Sequence, residues 1–261
     1  MLIKIICGQM DIIPGRPDEN YKKILELISA AKEKQADILL LPEMCIPGYL
    51  IGDLWEQQTF LDDCQYYAEK IVEASQDICI MFGNVAFEKD KLNEDGRLRK
   101  YNAAVACQNG KILGGYMGRN FIIKNSLPNY REFDDYRYFY SLQKLCAEED
   151  AIVAEALQPL EITIRDKQIK VGLMIAKMVG QKTTTLMFPK PWRIMVQKFS
   201  LTFLVPPIAW ARTKSVTNFL VHKLKKQGFL LFTATTWASK IMVKTSSLMT
   251  VAPLPTMQMV L

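Results

Sequence analysis

Apolar positions recur along the first two thirds of the chain with two different periods. Residues 2–9 (LIKIICGQ) are apolar nearly throughout, as a strand buried on both faces reads. A Pro/Gly loop occupies residues 11–17. Asp18, just after Pro17, fits a helix N-cap, and Ile24, Leu27, Ile28 and Ala31 then return at helical spacing until near Lys34. Residues 37–41 form a second short buried strand. The spacing predicts a helix over residues 54–74, with Leu61, Ala68, Ile71 and Val72 turned inward, and a third strand over 77–87. Asn109-Gly110 separates residues 100–107 from 111–116, and Asp166-Lys167 separates 160–165 from 168–175. Both patterns predict β-hairpins. Strand, helix, strand, helix and then hairpins predict an α/β fold, a mixed sheet covered by helices in more than one layer.

Two polar residues stand at the ends of apolar runs. In LLLPEMCIPGY, residues 39–49, Pro42 ends the strand because it has no N–H for the ladder, and Glu43 follows at the carboxyl end. Pro47-Gly48 then turns the chain away. A carboxylate there is either a rim acid capping a neighbouring loop or a catalytic group placed at a strand end. Lys124 comes directly after Phe121-Ile122-Ile123, and reads either as a snorkelling surface lysine or as a site cation. Behind it, LPNYREFDDYRYF (residues 127–139) is dense in aromatics and charge, and reads on its own as a loop packed over the sheet.

Composition narrows the classes. A chain of 261 residues makes one large domain or two small ones. The six cysteines (Cys7, Cys45, Cys64, Cys79, Cys107, Cys146) show no CxxC and no close pairing, and read as reduced core thiols. A single histidine, His222, excludes a multi-histidine metal site. Nothing at the N-terminus has the layout of a signal peptide. The apolar patch at 199–211 is broken by Pro206-Pro207 and falls short of the ~20 residues that cross a bilayer. These features predict a soluble, cytoplasmic protein. The net charge of +6 is unevenly spread: residues 1–176 carry 21 Lys and Arg against 27 Asp and Glu, whereas residues 177–261 carry 12 Lys and Arg and no acid.

PE-x-x-x-x-GY after a buried strand, followed by K-x-x-LPNYREFD, resembles the carbon–nitrogen hydrolase (nitrilase) superfamily. Within it, the second phrase is similar to the glutaminase domains of glutamine-dependent NAD synthetases. The resemblance runs through residues 1–175 and implies a nitrilase-type αββα sandwich over residues 1–176, truncated here, with a Glu–Lys–Cys triad. It implies Glu43 as the general base that takes the thiol proton and Lys124 as the oxyanion stabiliser, with Tyr49 and Phe133 lining a glutamine pocket. It implies L-glutamine as the partner, no nucleic acid, no membrane and no metal, and association of the full enzyme into homo-oligomers. No cofactor is expected in this chain. ATP and Mg would belong to a synthetase domain, whose SGGxDS-like loop is absent from this sequence. Glu132 is either a second acid near the site or a partner for Arg131 or Arg137. The alternatives are a free-standing nitrilase-family amidase and a non-enzymatic remnant.

The triad's third member is missing. The family's strand ends in Cys-Glu-Asp-x-Trp; here Val171 to Ile175 is followed by Ala176-Lys177-Met178-Val179-Gly180, and none of the six cysteines lies at an equivalent position. Beyond Ala176 roughly ten acids are expected at ordinary usage, and none occurs. A shifted reading frame explains both facts. Restoring one T before the Ala176 codon permits Cys-Glu-Asp-Gly-Trp. At the same offset Met178-Val179, Trp237-Ala238, Met242-Val243 and Met259-Val260 each force a glycine. Residues 177–261 therefore read as an out-of-frame tail, predicted irregular, with no independent domain. The competing reading is a natural basic tail whose Lys223-Leu224-Lys225-Lys226 cluster binds phosphates.

Overall fold

The computed structural model describes residues 2–130, 133–156, 158–175, 200–204, 231–237 and 256–260. The chain opens with β1 (Leu2–Cys7), β2 (Met10–Asp11), α1 (Pro17–Glu33) and β3 (Ile38–Leu40). After a 3-10 turn at Gly52–Glu56 come α2 (Gln58–Glu73), the long strands β4 (Cys79–Leu92) and β5 (Leu98–Gln108), and short β6 (Lys111–Ile112) and β7 (Ile122–Ile123). The next stretch holds β8 (Asn129–Tyr130), β9 (Phe133–Asp134), α3 (Asp135–Tyr138), α4 (Leu142–Glu148) and α5 (Val153–Ala156). Then come β10 (Leu160–Ile164), β11 (Lys167–Ile175), β12 (Ser200–Leu204), β13 (Leu231–Trp237) and β14 (Thr256–Val260).

Two sheets form the frame. The first runs β14-β1-β3-β4-β5-β6, with β7 also on β5; the second runs β10-β11-β12-β13-β2. The central strands of the first sheet, β1, β3 and the first part of β4, are buried on both faces, which is why they read as continuous apolar runs. Ile3, Ile5, Ile38, Leu40 and Met81 turn toward the second sheet, where Ile162, Ile164, Val171 and Leu173 meet them. Ile6, Leu39, Leu41, Ile80 and Phe82 turn the other way, onto Ile24, Ile28, Leu61, Cys64 and Ile71 of the two long helices. Among the described residues no helix is long and apolar enough to cross a membrane.

Several boundaries differ from the sequence reading. Pro17, not Asp18, opens the first helix: its fixed φ suits the first helical position, so Arg16 is the flanking residue. Asp18 falls inside the first turn and pairs with Arg16 at 2.7 Å. The helix predicted from 54 begins at Gln58, because Gln57 is extended and the preceding 3-10 turn is anchored by Trp55, packed edge-on against Phe60 and Phe139. β4 continues past Phe87 to Leu92; this polar end has no hydrophobic signal, and its pairing to β5 skips across a register shift from Phe87↔Lys100 to Leu92↔Leu98. The arm predicted over 111–116 shrinks to two residues: the chain turns at Gly114 (φ 99°), and Tyr116 N–H then donates to the Phe121 carbonyl at 3.1 Å. The second hairpin turns on Arg165-Asp166 instead of Asp166-Lys167, with both φ values positive (48° and 63°). Where irregular chain was predicted, β12, β13 and β14 lie in the two sheets. Their sequences SLTFL, LFTATTW and TMQMV are rich in β-prone residues, and an open sheet edge offers unpaired backbone groups to such segments.

Glu43 follows β3 where the chain passes tightly over β4. Gly83 donates its N–H to the Pro42 carbonyl at 3.1 Å, and a Cβ on Gly83 would run into the Met44 nitrogen and the Glu43 Cα. Gly83→Ala is therefore expected to cost ~1–3 kcal/mol in urea unfolding by overpacking. An unchanged midpoint would contradict this close approach.

Candidate active site

Four segments deliver polar side chains to one buried point. β3 ends at Leu40, and Leu41 N–H still donates to the Met81 carbonyl at 2.7 Å, so Glu43 emerges at the carboxyl edge of the first sheet. The turn through Gly48 (φ 81°) brings Tyr49 back beside it, with Gly48 N–H donating to the Met44 carbonyl at 2.9 Å. β7 pairs with β5, and the ladder continues as Lys124 N–H donates to the Asn102 carbonyl at 2.9 Å. Lys124 and Asn102 are thus fixed as neighbours. Asp135 opens α3, its N–H held by the Pro128 carbonyl at 3.1 Å.

Lys124 Nζ is the hub. It donates to Glu43 Oε1 at 2.7 Å, to the Tyr49 hydroxyl at 2.8 Å and to Asp135 Oδ2 at 3.1 Å. Asn102 Nδ2 donates to Glu43 Oε1 at 2.7 Å and to the Tyr49 hydroxyl at 2.8 Å. That hydroxyl lies 2.8 Å from Glu43 Oε1 and 3.0 Å from Asp135 Oδ2, and its one proton serves one carboxylate at a time. The Lys124, Glu43 and Asp135 side chains are all at least 96% buried. Glu43 Oε2 is buried with no hydrogen-bond partner among the described residues.

The electrostatics follow from that packing. Burial on its own pulls the Lys124 ammonium down, but Glu43 and Asp135 outweigh it and hold its pKa above the ordinary 10.5. Burial pushes the Asp135 carboxyl up, with Lys124 pulling against it. Burial, then the charges of Glu43 and Asp135, raises the Tyr49 phenol well above its ordinary 10.0. At neutral pH the point therefore holds a charged ammonium and a protonated phenol beside Glu43 Oε2, which has no partner among the described residues. Such a set can accept a proton at Oε2 and stabilise a developing oxyanion with the ammonium. Among the described residues no group of three or more His, Cys, Asp and Glu could hold a metal ion.

The structure brings Glu43, Lys124 and Tyr49 together. Tyr49 sits inside the charged cluster, bonded to both. Phe133 pairs through its backbone with Tyr130; its side chain, Arg131, Glu132 and Ala176 lie outside the description. β11, which leads to position 176, packs across β5 and β7, the strands that present Asn102 and Lys124. No described thiol is poised as a substitute nucleophile. Cys45, two residues from Glu43, is fully buried, its thiol 3.4 Å from the Gly83 carbonyl it donates to, and burial pushes it up to about 12. Burial likewise raises Cys7, Cys64, Cys79, Cys107 and Cys146.

The sequence reading missed two members of the cluster, Asp135 and Asn102. Asn102 did leave a signal, a lone amide in the otherwise apolar YNAAVAC of a buried strand. Asp135 left none, being one of three acids within REFDD.

Without Lys124 two carboxyl groups would stay buried with no counter-ion. Lys124→Met is expected to cost about 3–5 kcal/mol at pH 7. The loss should shrink as pH falls. A buried acid whose folded-state pKa lies above its unfolded value holds its proton more tightly when folded, so it stabilises the fold below the unfolded pKa and that contribution fades as pH rises. Urea unfolding of both proteins at pH 7 and pH 5 checks the sign; a loss that grows on acidification would contradict it.

The sequence profile of the Carbon-nitrogen hydrolase family matches residues 4–196. The glutamine-dependent NAD(+) synthetase of Thermotoga maritima is 30% identical over 139 residues, 52% of this chain and 22% of that protein. The Xanthomonas campestris synthetase is 33% identical over 138 residues, again 52% and 22%. The chain thus matches about a fifth of the length of these relatives. Among solved structures, the glutamine-dependent NAD+ synthetase of Acinetobacter baumannii superposes with a TM-score of 0.66 at 23% identity, over 88% of this chain and 38% of that one. An amidase from Nesterenkonia sp. superposes with a TM-score of 0.62 at 16% identity, over 90% and 76%. These neighbours share the α/β sandwich described above. With residues 4–196 of 261 inside the family match, the chain belongs to the carbon–nitrogen hydrolase family.

Proposed function

We propose that this chain derives from a glutamine amidohydrolase that supplies ammonia for glutamine-dependent NAD synthesis, and that as written it lacks the nucleophile. The observation that carries the chemistry is the buried Glu43–Lys124 pair with Glu43 Oε2 unpaired among the described residues. Identity of 30–33% to two NAD synthetases supports the glutamine substrate.

A cysteine at position 176 completes the reaction. Its thiol loses a proton to Glu43 and its sulfur adds to the side-chain carbonyl carbon of glutamine, while the Lys124 ammonium stabilises the oxyanion. Collapse breaks the C–N bond. The proton returns from Glu43 to the departing nitrogen, and ammonia leaves an enzyme thioester. Water, giving its proton to Glu43, then releases glutamate and the thiol. Lys124 stays charged throughout because two carboxyl groups surround it. Tyr49, protonated, holds Glu43, and Phe133 lines the pocket. Neither step calls for a metal or a cofactor; ATP and Mg act in a separate synthetase domain. The full enzyme on this reading is a cytoplasmic homo-oligomer with no nucleic-acid or membrane partner. A related amidase from Nesterenkonia has been solved with acrylamide added at its active-site cysteine, which supports a sulfur nucleophile on this frame.

Alanine at 176 offers only a methyl group, and the acid-free run behind it fits loss of one base ahead of that codon. The chain as written is expected to release no ammonia from glutamine in a coupled glutamate dehydrogenase assay. The frame-restored chain is expected to release it, and there Glu43→Gln should lower kcat about 10²–10⁴-fold and Lys124→Ala about 10²–10³-fold. Turnover by the written chain overturns the lost nucleophile. A restored chain that hydrolyses simple amides but not glutamine favours the free-standing amidase. A DNA read across the Ile175 codon decides the frame: an undisturbed register with no recoverable cysteine codon ends that reading.

A further inference from the structure

We propose that Asn102 is a positioning residue that decides which oxygen of Glu43 takes the proton. The inference rests on reading Glu43 as a proton acceptor. Asn102 is fully buried on β5, opposite Val85. Both protons of its amide nitrogen are committed, one to Glu43 Oε1 at 2.7 Å and one to the Tyr49 hydroxyl at 2.8 Å. Lys124 donates to the same two atoms. The Tyr49 oxygen, receiving from both, turns its own proton toward Glu43 Oε1 or Asp135 Oδ2. Oε1 therefore has two committed donors, Lys124 and Asn102, and a third, the Tyr49 proton, shared with Asp135, whereas Oε2 has none among the described residues.

A carboxylate held only by the ammonium and by a hydroxyl shared with Asp135 could exchange its two oxygens by rotating about its last bond. The rigid amide, anchored to a sheet strand, removes that freedom. Oε1 is left to structure and Oε2 to chemistry. A neutral donor on a carboxylate oxygen in general favours the ionised form over the protonated one. The titratable groups facing Glu43 among the described residues are Lys124, Tyr49 and Asp135, each from a different segment, and none of them duplicates a neutral donor fixed on the sheet.

The test is a pH titration of carboxyl carbons by NMR on the full chain, with the Glu43 signal identified by its loss in Glu43→Gln. It needs no turnover, so a failed glutaminase assay leaves it readable, and the reverse also holds. In Asn102→Leu the Glu43 inflection should rise by about half a pH unit or more, about a threefold gain in proton affinity. Asn102→Asp should raise it further, and Asn102→Ser, which keeps one donor, should fall between parent and Asn102→Leu. An inflection unmoved in variants that keep the parent circular dichroism overturns the proposal. If none of the variants folds, exchange in the unsubstituted chain decides: the Asn102 amide protons should exchange far more slowly than those of an exposed asparagine, and equal rates overturn it.

Discussion

One ammonium group faces two buried carboxyl groups at the carboxyl edge of the first sheet, and the surrounding structure is shaped by that imbalance. Removing charges from water costs several kcal/mol per ion even after relaxation, so such groups persist only where partners are supplied. Lys124 meets both Glu43 and Asp135, but a single positive charge leaves the set one negative charge in excess if both acids ionise. The excess is met in two ways. Neutral donors, the Tyr49 hydroxyl and the Asn102 amide, crowd Glu43. Burial pushes Asp135 toward its protonated form. The two acids are therefore not equivalent: one is held by two committed donors and a shared third, the other leans toward keeping its proton.

Holding that geometry requires a stiff frame. Asn20, fully buried on α1, accepts from the Ile13 N–H and donates to the carbonyls of Ile13 and Ile46, tying the loop before α1 to the loop after Glu43. Gly15 N–H adds a bond to the Pro47 carbonyl at 2.8 Å. A Cβ on Gly48 would come within 2.6 Å of the Pro14 Cα, so the two loops approach backbone to backbone. From the other side Leu142 N–H, at the start of α4, caps the Lys124 carbonyl at 3.1 Å. A salt bridge that depends on distances of 2.7–3.1 Å is thus built on main-chain contacts that long side chains could not hold.

This explains what was legible in the sequence. The centre of the first sheet was readable because both its faces are buried there, which leaves continuous apolar runs at residues 2–9 and 37–41. Glu43 and Lys124 were readable because each is the first charge after such a run. Asp135 was not, since its role comes from the turn that folds Pro128 over it, and nothing in the order of REFDD distinguishes one acid from the next. Asn102 could have been found by asking why a buried strand carries an amide. The polar end of β4 and the one-residue slip of the second hairpin turn escaped because pairing and backbone conformation set them, not hydrophobic pattern.

The acid-free segment shows how differently fold and chemistry constrain a sequence. β12 and β13 extend the second sheet in parallel from β11, and β14 pairs antiparallel with β1. Strand pairing asks for main-chain N–H and C=O groups and side chains that suit a pleated surface, and LFTATTW or SLTFL meets that demand whatever frame it was read from. Many unrelated segments would satisfy the same strand positions. Nucleophilic attack by sulfur asks for one accessible, readily ionised thiol, and burial raises the described core thiols Cys45, Cys79 and Cys107. Strand pairing by β12, β13 and β14 is therefore weak evidence that the segment was selected in this register, and the proposed loss of a reacting group rests instead on the sequence, where alanine follows Ile175.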